Sequence, residues 1–394
     1  MDFEAIRSAD AQYVAQTYTR FPVALVRGQG ARCWDAQGKE FVDLTSGIGV
    51  NALGFADLDW ANAVYSQLTT LQHTSNLFYT QPATELAQVL CERAGLRRAF
   101  FANSGAEANE GAIKAARKYG HARRGSDCHR IVTLRQSFHG RTITTLTATG
   151  QPRFHTQFNP FTPGFAYAPP DDLAATLALL DADTCAVMVE LVQGEGGVRP
   201  LDIAYAQGLA VACAQRDILL IVDEVQTGVG RTGALFAFQR YGITPDIVTC
   251  AKGLGAGLPI GAVLFGQKTQ DVLAAGEHAA TFGGNPACCA GALAVLARMD
   301  AAFLNQVEAK GGLIRQRLQG MPHVSGIDGM GLMLGVTLDG IAPADAVRAG
   351  IAQGVLTLTA GDRLRLLPPL IISPQDIDEA MTRLHTALKE VTPA

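Results

Sequence analysis

The hydrophobic positions of this chain change their period along its length. In the middle they gather into short unbroken runs, at residues 98–102, 131–134, 185–189, 218–222, 247–250 and 262–265. Runs of this length, bounded by polar residues and glycines, read as strands buried on both faces, the habit of a parallel sheet. Between them a spacing of three and four appears. Ala108, Ala112, Ala115 and Tyr119 predict a helix over 107–124, and a second covers 203–216. Leu86, Val89 and Leu90 mark a helix opened by Thr80 and Pro82 and closed at Gly95. An alanine-rich helix follows Pro286. Strands alternating with helices predict a mostly parallel, doubly wound α/β sheet.

The two ends follow a different rhythm. Residues 23–26 and 33–44 are short strand candidates interrupted by Gly28, Gly30 and Gly38, and a glycine-spaced loop covers 46–54. A polar-aromatic loop covers 73–80. Beyond Met321 come short strands at 332–338 and 364–367 with two helices, the pattern of a separate α+β lobe. The expected organisation is an N-terminal arm and small-domain segment over 1–53, a large domain over 54–285, and a C-terminal small domain over 286–394.

Composition narrows the function. Of 394 residues 48% are hydrophobic and 17% charged, which suits buried parallel strands and an extensive subunit contact. The net charge of −4 contains no basic block, so a nucleic-acid surface finds no support. The start, Met1-Asp2-Phe3-Glu4, carries acids where a signal peptide needs positive charge, and the longest apolar stretch is shorter than the ~20 residues that span a bilayer. The eight cysteines form no C-x-x-C pair and the eight histidines do not cluster. A cytosolic protein with reduced thiols and no metal site is the expectation.

The chemistry collects at strand ends. The 218–222 run stops at Asp223 and Glu224, and Lys252 follows the 247–250 run among Gly253, Gly255 and Gly257. In open α/β sheets, functional groups gather at the carboxyl ends of the strands. A carboxylate and a lysine so placed suit a pyridine aldehyde cofactor, although a lone pair of this kind also caps strands. Gly228–Gly233 matches G-x-G-x-x-G, but the acids precede these glycines and none lies about 20 positions beyond to take a ribose. Ser104-Gly105-Ala106 joins a strand to a helix N-terminus, a place that favours an anion. Phe138 can stack on a planar ring and Arg141 can fork onto a carboxylate. Glu195 lies between glycines after the 185–189 strand, Thr281 opens the turn before Pro286, and Arg365 sits inside an apolar strand, where it needs a partner.

The stretch LLIVDEVQTGVGRTGALFAFQRYGITPDIVTCAKGLGAGLPIGA, residues 219–262, resembles the class III pyridoxal-phosphate aminotransferases of fold type I. The likeness runs over about residues 21–370, and Lys252 lies 29 positions after Asp223, as in that family. SGIGVNALG at 46–54, SFHGRT at 137–142 and TFGGNP at 281–286 point to its acetylornithine aminotransferase branch. The resemblance implies a large pyridoxal 5'-phosphate domain beside a smaller α+β domain, and a homodimer with shared active sites. It implies that Lys252 carries the cofactor covalently and moves the proton, while Asp223 keeps the pyridine nitrogen protonated. Ser104, Gly105 and Ala106 would hold the phosphate, with Thr281 from the neighbouring subunit. Phe138 would cover one ring face and Gln226 would reach the ring hydroxyl. Arg141 would grip the α-carboxylate of the amino donor. Glu195 would mask Arg365 for acetylornithine and release it for glutamate, the product made from 2-oxoglutarate.

The implied reaction turns N2-acetyl-L-ornithine and 2-oxoglutarate into N-acetyl-L-glutamate 5-semialdehyde and L-glutamate, a step of arginine biosynthesis. Succinylornithine, N-succinyl-diaminopimelate and 4-aminobutyrate are alternative donors, and a racemase on the same fold is an alternative of another class. The chain departs from the pattern in places. Ile48 stands where enzymes acting on free ornithine carry a tyrosine, which favours an acylated α-nitrogen. Gly54-Phe55-Ala56-Asp57-Leu58 replaces the family's G-H-x-H-P. Tyr79 occupies a substrate-side aromatic position that core packing also explains.

Overall fold

The computed structural model of the protein describes residues 2–392. A seven-stranded sheet runs in the spatial order Arg98–Ala102, Gly261–Phe265, Ile247–Cys250, Leu219–Asp223, Thr184–Val189, Arg130–Leu134, Phe165–Ala168. All point the same way except Gly261–Phe265, which is antiparallel to both neighbours. The reversal has a simple cause. A parallel return needs a crossover of a dozen or more residues, usually a helix, and only a short turn at Lys252–Leu254 and a brief loop separate Cys250 from Gly261. The three central strands Thr184–Val189, Leu219–Asp223 and Ile247–Cys250 are buried along their full length. That is why they read as unbroken apolar runs instead of alternating ones.

Helix Gly105–Arg124 packs across this sheet through Ala108, Ala112, Ala115, Ala116 and Ile113, all fully buried. Its alanines let the helix approach closely, which sets its N-terminus against the strand ends. The smaller part of the molecule draws on both termini. The hairpins of Leu25–Gln29, Arg32–Asp35 and Glu40–Asp43 are extended by Val355–Leu356, parallel to Glu40–Asp43. Arg32 adds a contact to Asp376 and Glu379 of the last helix, Pro374–Glu390. A second antiparallel sheet, in the order Val324–Met330, Met333–Leu338, Arg363–Leu366, Leu358–Ala360, carries Arg365.

The glycine run at 228–233 serves packing. Val229, Gly230 and Gly233 take left-handed φ, and the turn delivers Arg231 into the interior. Its guanidinium donates to the carbonyls of Leu332 (3.0 Å) and Pro368 and to Ser46 Oγ (3.3 Å). Burial lowers the Arg231 pKa to about 9, and Asp43 pulls it back. This cation ties the large sheet to both segments of the smaller part.

Helices Phe3–Tyr13, Leu58–Thr70 and Ala301–Leu318 and strands Phe165–Ala168 and Val324–Met330 were not foreseen. The first helix buries no residue and the second only Val64, so neither shows a full apolar stripe. Thr80 stands at the N-cap of Gln81–Ala94 without making the side-chain bond of a cap. The 46–54 loop contains one helical turn, Ser46–Gly49, with Gly47 and Ile48 in left-handed conformation. Among the described residues, no single helix is long and apolar enough to cross a membrane, and no cluster of three metal-ligating side chains occurs. All eight cysteines are free thiols.

Candidate active site

A cavity of about 620 Å³ opens at the carboxyl ends of the central strands. Ser104, Gly105, Ala106, Phe138, Arg141, Asp223, Gln226 and Lys252 all line it. Glu195 and Arg365 stand behind Gln226, within hydrogen-bond reach of its amide. A larger groove of about 1070 Å³ lies elsewhere, between helices Leu58–Thr70, Gln81–Ala94 and Pro286–Arg298. Glu85, Arg93 and Asp300 are its only charged lining groups, and none of the strand-end chemistry reaches it.

Asp223 ends its strand buried, 3% exposed, and three donors fix it. Asn109 Nδ2 and His139 Nδ1 both reach Oδ2 at 2.8 Å, and the Val225 N–H reaches Oδ1 at 3.0 Å. Asn109 is itself locked. Its Oδ1 accepts from Thr249 Oγ1 at 2.7 Å, and its Nδ2 also donates to the His139 carbonyl at 2.7 Å. A carboxylate held by such donors is a fixed negative charge in a low-dielectric wall, stronger there than in water.

Lys252 lies in the turn that follows the adjacent strand, in a left-handed conformation (φ +42°). A non-glycine residue at such a φ is uncommon and often sits at a functional site. Among the described residues its Nζ has no hydrogen-bond partner. Burial lowers the amine below its ordinary value, Glu195 and Asp223 pull it back, and Arg365 lowers it further. A less protonated amine facing a cavity is a nucleophile and a proton carrier.

Two glutamates follow the Thr184–Val189 strand. Glu190 accepts the N–H of Phe138 (2.8 Å) and of Gly194 (3.2 Å), tying two site loops together. Burial pushes its carboxyl up and Asp223 adds to the rise, while His139 opposes it. Glu195 pairs with the Arg365 guanidinium, whose side chain is 3% exposed. Burial favours the neutral acid here too, but the adjacent Arg365, with help from Lys252 and Gln226, holds Glu195 below the usual carboxylate range. Gly194 leaves room for this arrangement, since a Cβ there would lie 2.3 Å from Gln226 Oε1.

At the other end, Ser104 caps helix Gly105–Arg124. Its Oγ accepts the Glu107 N–H at 3.2 Å, and the Glu107 carboxylate accepts the Asn103 N–H at 2.8 Å. The N–H groups of Gly105 and Ala106, in the first turn, have no partner within the helix. A Cβ on Gly105 would come within 2.6 Å of Val225, so glycine brings this positive helix end against the strand that bears Asp223. The set of donors and space suits an anion.

Phe138 is half-buried at the cavity wall and meets Phe154 edge to face, 6.3 Å between centroids. Arg141 is exposed at the rim. Thr281 is exposed and does not line this chain's cavity. Ile48 is exposed as well. Core packing does not account for Tyr79, which is fully exposed. Asn109 and Glu190 escaped the sequence reading, and His139 was quoted without a role. One signal was available: Asn109 lies four positions beyond Gly105, on the same helical face.

Residues 13–388 match the family model described as aminotransferase class-III. The chain is 53% identical over 393 residues to an acetylornithine aminotransferase of Haemophilus ducreyi, covering 99% of this chain and 100% of that protein. Among solved structures, an ornithine aminotransferase from Toxoplasma gondii with pyridoxal phosphate at partial occupancy in its active site superposes with a TM-score of 0.92 at 34% identity, covering 98% of this chain and 94% of that one. The N-acetylornithine aminotransferase of Stenotrophomonas maltophilia K279a gives 0.83 at 37%, covering 97% and 98%. The chain belongs to the class III aminotransferases, an α/β fold with a mixed central sheet.

Proposed function

We propose that this aminotransferase moves the terminal amino group of N2-acetyl-L-ornithine to 2-oxoglutarate, yielding N-acetyl-L-glutamate 5-semialdehyde and L-glutamate. The cofactor is pyridoxal 5'-phosphate, and the residues present fit it. The first turn of Gly105–Arg124 offers free N–H groups beside a glycine at which any side chain would press on Val225. A fixed carboxylate and an unpartnered amine face the same cavity. When bound, the cofactor supplies an aldehyde for the amino group and a protonated ring that accepts electrons.

The chain's own residues then have separable tasks. Ser104, Gly105 and Ala106 hold the phosphate. Asp223, held in place by Asn109 and His139, would keep the proton on the ring nitrogen. Phe138 covers the ring face and Gln226 orients the ring hydroxyl. Lys252 would hold the cofactor through Nζ, and the same amine would carry the proton in the reaction. Arg141 takes a carboxylate of either substrate. Acetylornithine has one carboxylate and glutamate two, so a second cation is needed in only one half-reaction. Glu195 neutralises Arg365 for the first substrate and leaves it for the second.

The observation that carries this reading is the Glu195–Arg365 pair, a buried arginine whose single ionic partner among the described residues sits on a glycine-flanked loop. A racemase has no use for a maskable cation. Thr281 belongs to the partner's phosphate site in a homodimer. The exposed apolar cluster of Leu77, Phe78, Tyr79 and Phe282 beside it supports that contact. Asn76 ties the two segments together through the Ala280 and Gly283 carbonyls. A cytoplasmic location accords with the free thiols. The test is a panel of acetylornithine, succinylornithine, ornithine, N-succinyl-diaminopimelate and 4-aminobutyrate, followed through the cofactor's absorbance. Faster turnover of any other donor than of acetylornithine would reassign the substrate, and a protein that stays colourless with pyridoxal phosphate would end the reading.

A further inference from the structure

Arg141 carries a long side chain with many rotamers, yet among the described residues its guanidinium makes no hydrogen bond and no ion pair. Two aromatic rings hold it instead. The guanidinium carbon lies 4.2 Å from the centroid of Phe154 and 5.5 Å from that of Phe138. A cation held over ring faces in this way needs no hydrogen bond from the protein to stay in place. This leaves the N–H donors, which lie in the guanidinium plane, free for a bidentate carboxylate.

Phe154 is itself well seated. It ends the short Pro152–Phe154 turn, with its N–H on the Gln151 carbonyl at 3.1 Å. The guanidinium of Arg153 lies 4.8 Å from the same ring and is anchored on Gln151 Oε1 at 2.8 Å. Phe138 meets the ring at 69°. One ring thus connects the residue read as covering the cofactor to the residue read as gripping the substrate.

We propose that Phe154 is a positioning residue for substrate carboxylates, acting through Arg141. It holds the guanidinium with its donor edge toward the cavity, and Arg153 seats the ring from its own side chain's anchor. This rests on the reading of Arg141 given above. Because the amino donor and 2-oxoglutarate both present a carboxylate to Arg141, the contribution of Phe154 appears in both half-reactions, unlike that of Arg365.

The experiment uses the pyridoxal-phosphate-loaded enzyme, with each half-reaction followed by absorbance for Phe154→Leu, Phe154→Tyr, Arg141→Ala and the Arg141→Ala/Phe154→Leu double variant. A cation–π contact of the usual strength predicts that Phe154→Leu raises KM for acetylornithine and glutamate alike, roughly 3–10-fold, with kcat changed less than two-fold. Phe154→Tyr, which keeps the ring, should stay near wild type. In the Arg141→Ala background, Phe154→Leu should add nothing. An unchanged KM in Phe154→Leu, an effect that persists at full size without Arg141, or a tyrosine variant as impaired as leucine would each overturn the proposal. If Arg141→Ala alone leaves both KM values intact, the reading of Arg141 fails, and that result does not depend on Phe154.

Discussion

Glu190 and Glu195 leave the same strand, five residues apart, and meet opposite electrostatic fates. Glu190 has two backbone N–H donors and, nearby, the negative Asp223, so burial wins and its carboxyl is pushed up. Glu195 has a guanidinium against it, so its carboxyl is held down despite burial. The first fastens two loops and is not free to move. The second depends on one ionic partner, and a substrate carboxylate can compete for that partner. The comparison extends across the cavity, because Asp223 is fixed like Glu190, by three donors where Glu190 has two. On the proposed reading, a site built this way separates a rigid chemical wall from a responsive specificity edge.

Removing the wall's reactive amine should have the largest effect. Lys252→Ala is expected to lower kcat by about four decades, the upper range for loss of a general acid–base group, read by coupled detection of glutamate. A variant within ten-fold of wild type would break the assignment. On the responsive side, Arg365→Ala should hurt only one half-reaction. Breaking a buried ion pair costs about 3–5 kcal/mol, or roughly two to four decades. That loss should fall on the glutamate half-reaction, with the acetylornithine half changed less than ten-fold. Equal losses in single-turnover absorbance would contradict the switch.

A smaller effect sharpens the rigid side. Asn109→Ala deletes a hydrogen bond to a buried charge, worth about 1.5–3 kcal/mol, and should appear as lost stability in urea together with weaker pyridoxal phosphate binding. Unaltered cofactor affinity would mean that Asn109 only packs.

The smallest prediction concerns pH and follows from the two glutamates directly. Glu195 titrates below its ordinary value of 4.5 in the folded chain. Its contribution is therefore complete above that value and lost as pH falls through the lower folded one. Glu190 titrates above the same ordinary value, so its contribution is complete below it and lost as pH rises through the higher folded one. Urea unfolding of the holoenzyme across pH should show Glu195→Gln flattening the acid side of the stability curve and Glu190→Gln the other. Flattening on the same side by both would remove the distinction.

Much of the candidate site was legible because its parts lie at strand ends, and strand ends show as abrupt stops in apolar runs. Asp223, Lys252, Ser104 and Glu195 were all found that way. The supports were not. Asn109 sits in the second turn of an alanine-rich helix and looks like an ordinary helix residue, and Phe154 lies in a short proline turn with no periodicity. The reversed strand Gly261–Phe265 has the same buried, apolar character as its parallel neighbours, so composition could not reveal its direction. The short link from Cys250 carried that information, through its length.

The sequence by itself determined the alternation of strands and helices, the family and the positions of the reactive groups, because burial on both faces and glycine-flanked acids leave local patterns. Only the tertiary structure decided which groups meet: Arg365 with Glu195, Asn109 and His139 with Asp223, Arg141 with Phe154. Those contacts join residues far apart in the chain. A charge's environment, and so its state and its freedom to move, is set by what surrounds it in space, which no local pattern records.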